Sequence, residues 1–127
     1  MIPKPSGGPK GRLLVVDDDP KVIAGFGLFF SEKGYEVRGA ENAHQAMKLV
    51  EKEKFGLIFL DNDLPGTTGL QALPGLARKS GAPVIMITAL YDPDLKKDAL
   101  LLGALDLVAL PADFPDLEKQ VSRIVRP

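Results

Sequence analysis

Three runs of four apolar residues, LLVV (13–16), LIFL (57–60) and VIMI (84–87), contain no polar position between them. Such runs are too short for buried helices and are rich in β-branched residues, so they suit strands covered on both faces, as in the middle of a parallel sheet. YEV (35–37) alternates instead, as an edge strand does, and LDLVAL (105–110) is the fifth candidate. Between the runs the period lengthens to that of helices. Asp19 and Pro20 read as an N-cap and first helical residue, after which Val22, Phe26 and Phe29 or Phe30 share one face until Gly34 stops the helix. Asn42 with Gln45 resembles a capping box ahead of Ala43, Ala46, Met47 and Val50. Asp92-Pro93 opens a helix carrying Leu95, Ala99 and Leu102 and closing at Gly103, and Leu117, Val121 and Ile124 mark the last one. Segment 68–79 has the stripe Leu70, Leu73, Ala77, but Pro74 and Gly75 interrupt it, which predicts a kinked or delayed helix.

Strands alternating with helices in a (βα)₅ order predict an α/β fold, a doubly wound parallel sheet with right-handed crossovers and strand order 2-1-3-4-5. At 127 residues the chain has the length of one domain with one core. Residues 1–11, rich in Pro, Gly and Lys, are expected to be a flexible N-terminal tail, and residues 12–127 the domain. The 16 basic residues are scattered among 17 acidic ones for a net charge of −1, which argues against a phosphate-backbone partner such as nucleic acid. There is no cysteine, no apolar run of membrane-spanning length and no signal-peptide pattern, so the expectation is a cytoplasmic protein without disulfide, thiol chemistry or membrane contact.

In a sheet of this order the chain reverses direction between strands 1 and 3, and ligands collect beyond the C-terminal ends of those strands. Asp17, Asp18 and Asp19 follow the first run; Asp61 and Asp63 follow the third. These carboxylates should converge in one crevice, repel one another, and require a cation. A hard divalent ion takes carboxylate oxygens, water and a substrate phosphate, and a carboxylate that shares the ion is placed to attack phosphorus. The third strand thus delivers Asp61 to a metal and phosphoryl site, and Leu64-Pro65-Gly66 turns the chain away. Asp19 reads as an N-cap alone. Asp63 is ambiguous, since a side chain that faces solvent leaves only its carbonyl to reach the ion. His44, the sole histidine, reads as exposed and without a catalytic part, and Phe26, Phe29 and Phe30 as core.

These residues resemble the receiver domain of two-component response regulators over about residues 12–126. LLVVDDDP resembles the family's acidic pair after strand 1. FLDNDLPGTTGL resembles D-x-x-[ML]-P-x-x-x-G around the phosphorylated aspartate. IMITAL resembles the strand-4 Thr/Ser-Ala, and GALDLVALP resembles G-A-x-D-Y-[LV]-x-K-P. The resemblance implies a flavodoxin-like receiver fold with Asp61 as phosphoacceptor. It implies Mg²⁺ (or Mn²⁺) held directly by Asp18 and Asp61, through water by Asp17, and by the Asp63 carbonyl. Thr88 would bond a phosphoryl oxygen, and Ala89 would leave the site open. It also implies a sensor histidine kinase or phosphotransfer protein as donor, a downstream protein or output domain as receiver of the signal, and no enzymatic activity beyond self-phosphorylation and dephosphorylation.

The last fragment departs from the family at two positions. Leu110 stands where the family has a lysine before Pro111, and Leu107 where it has the aromatic that reports phosphorylation; no lysine occurs between Lys97 and Lys119. An atypical receiver results, with two readings open: one phosphorylated on Asp61 that signals by another route, and a pseudo-receiver that works through protein contacts alone. The DND of 61–63 also resembles the D-x-D of haloacid-dehalogenase-type phosphatases, but it follows the third strand rather than the first, with Leu64 in the downstream place. The resemblance implies a cis Leu110–Pro111 peptide, as in the family's lysine-proline pair, with the Leu110 side chain expected over the edge of the acidic pocket.

Overall fold

A computed structural model describes residues 10–126. Strands β1 (Arg12–Val16), β2 (Glu36–Ala40), β3 (Leu57–Asp61), β4 (Val84–Thr88) and β5 (Asp106–Ala109) alternate with helices α1 (Pro20–Glu32), α2 (Ala43–Lys52), α3 (Gly69–Ser80), α4 (Pro93–Leu101) and α5 (Phe114–Ile124). All neighbours in the sheet are parallel, in the order β2-β1-β3-β4-β5. The apolar runs occupy the three central strands, where every residue of β3 and β4 is buried. Successive side chains point to opposite faces. Leu14, Ile58, Leu60 and Met86 therefore pack beneath α2, α3 and α4 with Ala46, Leu73 and Ala99. Leu13, Leu57, Phe59 and Ile85 pack beneath α1 and α5 with Phe26, Phe30 and Leu117. Each such side chain contributes about 1.5–3 kcal/mol by leaving water.

The caps fall where the sequence places them. Asp19, Asn42 and Asp92 accept backbone N–H groups of the helices that follow, and Gly34 lies past α1 with φ +98°.

Three expectations are corrected. The second strand runs over Glu36–Ala40 rather than 35–37, because its register with β1 pairs five residues, Arg12 to Val16. Tyr35 precedes the strand and is buried edge-on against Phe30. The segment around Pro74 is one helix from Gly69, with no delay past the proline. Thr68 and Gln71 form a reciprocal capping box at its start, so the first turn is secured before the one hydrogen bond that the proline removes. Leu102 does not join the buried face of α4: the helix ends at Leu101, and Leu102 is exposed beside Leu100, Leu101 and Leu105.

Residues 1–9 of the expected tail lie outside the described residues. Lys10 donates its N–H to the Gly34 carbonyl and the Gly11 carbonyl accepts from Glu36, at 2.9 Å each. On the edge strand β2, Glu36 and Arg38 join Arg12 and Glu53 in a closed ring of four half-buried ion pairs at 2.6–3.6 Å.

Candidate functional site

The sheet register builds the site. Val16 pairs with Leu60, so the next residue of each strand end, Asp17 and Asp61, stand side by side at the C-terminal edge, at the switch point between β1 and β3. Asp18 follows, and carboxylate oxygens of Asp17, Asp18 and Asp61 lie within 4.8 Å of one another. Asp17 and Asp61 are 3% and 6% exposed, whereas Asp18 faces solvent. Burial, then the charge of Asp17 and those of Asp63 and Asp18, push the Asp61 carboxyl up to about 7, against a backbone hydrogen bond from Asp63 that favours the anion. Asp17 is raised as well, first by burial and then by Asp18 and Asp19, although its carboxylate accepts the Asp19 N–H at 2.9 Å. The chain thus holds a pair of buried carboxyls short of positive charge, with a third at the solvent side. An all-oxygen set of this kind fits a hard divalent cation.

After Asp61 the chain makes a small antiparallel hairpin, Asp63–Leu64 against Thr67–Thr68. Pro65 and Gly66 form its turn, and Gly66 has φ +76°, which a side chain rarely adopts. Asp63 is exposed, so its side chain stands in solvent. Two residues whose roles the sequence did not reveal then fix the approach of α3. The Asn62 carbonyl accepts the Gly69 N–H at 2.8 Å, and its Oδ1 accepts that of Leu70 at 3.3 Å. A Cβ on Gly69 would collide with the Asp61 carbonyl oxygen, and with Asn62 Cα at 2.9 Å and Met86 at 2.8 Å. Gly69 is the last residue of the quoted D-x-x-L-P-x-x-x-G stretch, so its spacing was visible while its reason was not.

Thr88 ends β4 fully buried beside this edge. Its hydroxyl donates to the Leu90 carbonyl at 3.3 Å and accepts the Leu90 N–H at 3.1 Å, which ties it to its own loop. Ala89 is exposed next to it. Leu107 is buried in the core beneath α4. The Leu110–Pro111 peptide is cis. Leu110 is half-buried against the core beneath α1 and α5, and with Lys21, Val22, Ala89 and Phe114 it lines an apolar groove of about 380 Å³. It is therefore a wall of that groove; the carboxylates are not among the residues that line it. His44 is exposed and Phe26 and Phe30 are core, as read from the sequence.

A family model described as the response regulator receiver domain matches residues 13–122. The transcriptional activator protein IrlR of Burkholderia pseudomallei is 35% identical over 115 residues, which cover 91% of this chain and 50% of that protein. The chain spans half or less of the length of the curated relatives it matches here. Among solved structures, the response regulator TrrA of Thermotoga maritima in complex with Mg²⁺-BeF is 29% identical with a TM-score of 0.78, over 89% of this chain and 97% of that one. A Burkholderia pseudomallei response regulator solved with a phosphorylated aspartic acid, calcium ion and citrate is 27% identical with a TM-score of 0.82, over 87% and 66%.

Proposed function

The chain belongs to the response regulator receiver domain family, and from that premise we propose that Asp61 accepts a phosphoryl group in two-component signalling. The observation that carries this reading is the convergence of Asp17, Asp18 and Asp61 at the switch point with their oxygens within 4.8 Å. Asp18 and Asp61 would hold Mg²⁺ directly, Asp17 would hold it through water, and the Asp63 carbonyl would complete the protein ligands. When bound, the ion supplies positive charge against both the carboxylates and the incoming phosphate.

The chain's own residues do the rest. A carboxylate oxygen of Asp61 attacks phosphorus, the bond from phosphorus to the donor breaks, and the donor leaves with the bonding pair. Burial withholds water from that carboxylate and favours its neutral form, so the nucleophile is fully available only when cationic charge offsets Asp17. Thr88 exchanges its hydrogen bond to Leu90 for one to a phosphoryl oxygen, and Ala89 leaves the approach open.

The donor is a sensor histidine kinase or phosphotransfer protein, and the output passes by protein contact to a downstream protein or domain. Since the similar IrlR is a transcriptional activator protein about twice as long as the matched stretch, this unit would be the regulatory part of such a protein. Nothing favours the phosphorylation-independent reading over this one.

Intact-mass spectrometry after incubation with acetyl phosphate and Mg²⁺ tests the proposal. One phosphoryl addition, absent in Asp61→Asn, is expected. No adduct in the parent chain, or an equal adduct in Asp61→Asn, overturns it.

A further inference from the structure

The end of β3 contributes Asp61 and, two residues on, Asp63 to the proposed site, and Asn62 stands between them. Its backbone is tied on both sides. The Asn62 N–H donates to the Ile87 carbonyl of β4 at 3.1 Å, one residue before Thr88, and the Asn62 carbonyl accepts the Gly69 N–H of α3 at 2.8 Å. The first bond fixes the plane of the peptide that leaves Asp61, and the second fixes the plane of the peptide that enters Asp63. Any residue at 62 could make those two bonds. What the asparagine side chain adds is Oδ1, which accepts the Leu70 N–H at 3.3 Å from eight positions upstream. One hydrogen bond to a helix end leaves a pivot, whereas two to the consecutive N–H groups of Gly69 and Leu70 do not.

The first N–H groups of a helix have no partner within it. In α3 those of Gly69 and Leu70 are taken by Asn62 and that of Gln71 by Thr68. Thr68 is the local cap, with its own N–H bonded back to Gln71 Oε1 at 3.3 Å, and it secures the helix alone. Asn62 instead joins the helix to the strand end that carries Asp61. Gly69 permits the join, because without a side chain it lets α3 sit against the Asp61 carbonyl and Asn62 Cα. An amide makes this bond without placing a further carboxylate between Asp61 and Asp63.

We propose that Asn62 is a positioning residue for phosphoryl transfer, its side-chain oxygen holding α3 so that Asp61 and the Asp63 carbonyl keep their places around the metal and the phosphoryl group. This inference rests on the phosphoacceptor reading of Asp61. In the reaction with acetyl phosphate, an Asp61 oxygen bonds to phosphorus, the bond from phosphorus to the acetyl oxygen breaks, and acetate leaves with the electron pair. No proton is transferred. Asn62 acts through its neighbours, by narrowing the range of positions from which Asp61 attacks.

The test measures phosphoryl adduct formation by intact mass in the full chain at saturating Mg²⁺, over a range of acetyl phosphate concentrations and in about 0.3 M salt to screen added charge. The variants are Asn62→Ala, Asn62→Asp and Thr68→Val, with Asp61→Asn as blank, all at a temperature where circular dichroism shows each one folded. Asn62→Ala should lower the limiting rate about tenfold, inside the hundredfold that a displacement of about 1 Å can cost, and leave the half-saturating acetyl phosphate concentration unchanged. Thr68→Val removes a cap from the same helix, and should lower the melting temperature by a similar amount while keeping the parental rate. Asn62→Asp keeps an acceptor oxygen in the same place and should regain most of the rate. A parental rate in Asn62→Ala overturns the role of Asn62 alone. So does an equal slowing in Thr68→Val, which would make the loss one of helix stability, or a rate in Asn62→Asp no better than in Asn62→Ala. Absence of any adduct in the parent chain overturns the Asp61 reading, and the role of Asn62 with it.

Discussion

At Asp61 a carboxyl with an ordinary value near 3.8 is held up to about 7 by burial and by Asp17. Between those two pH values the folded chain keeps a proton that the unfolded chain has released. Stability therefore falls as pH rises from about 4 to about 7, and metal-free protein should melt higher at pH 5 than at pH 7.5. Asp61→Asn should flatten that profile and stabilise the chain by about 1–3 kcal/mol at pH 7.5, as thermal melts in chelator will show; an unchanged slope would count against the buried carboxyl. Leu110→Lys moves part of a half-buried apolar side chain's contact with the aromatic wall into solvent and should cost about 1 kcal/mol, read as a shifted denaturant midpoint. The carboxylates were legible because each ends an apolar run, and a strand end in a parallel sheet has one address. Leu110 was legible as a departure but not in its placement, because that depends on α1 and α5 closing over it, with Val22 far away in sequence.

Elements with a strong internal signal read correctly, and those decided by neighbours did not. The runs of β1, β3 and β4 announce themselves by lacking any polar face. Strand β2 is an edge strand whose Glu36 and Arg38 serve ion pairs, so its extent depends on pairing with β1 rather than on its own pattern. The continuity of α3 through Pro74 follows from a capping box and from contacts to the sheet, and neither is weighed by local propensity. The close seat of α3 on β3 predicts that Gly69→Ala is severe. Its methyl meets Met86, whose end can swing aside, but also the backbone of Asp61 and Asn62, which cannot, so relief requires moving the helix, at about 2–4 kcal/mol. The same displacement disturbs Asn62 and the strand end carrying Asp61, so Gly69→Ala should also slow phosphorylation in protein that is still folded. Adduct formation below the melting temperature measures this, and a parental rate would show that strand and helix move independently.

Across the whole molecule, a divalent ion that binds only the folded chain must raise its stability. At about 20 mM Mg²⁺ and an affinity on the order of 1 mM, the gain is about 1.8 kcal/mol. With the proposed ligand set, protons and Mg²⁺ would compete for Asp61, so the gain should be larger at pH 7.5 than at pH 5.5, and Asp18→Asn should remove most of it; differential scanning calorimetry at both pH values decides. The fold class was legible as a whole because the alternation of runs and amphipathic segments leaves few topologies that obey right-handed crossover. What no local pattern could give was the use of the two margins of the sheet. At one margin, the ring of Arg12, Glu36, Arg38 and Glu53 sets paired charges along β2. At the other, β5 is only four residues long and Lys96 bridges to Asp106 at its start. An extended peptide seeking to add itself as a sixth strand would have to break charged pairs at the first margin and would find a short ladder at the second. Main-chain zippering, whether by a binding partner or by aggregating copies of the chain, is thereby disfavoured, and recognition is left to helical faces and loops that can be repositioned without unzipping the sheet.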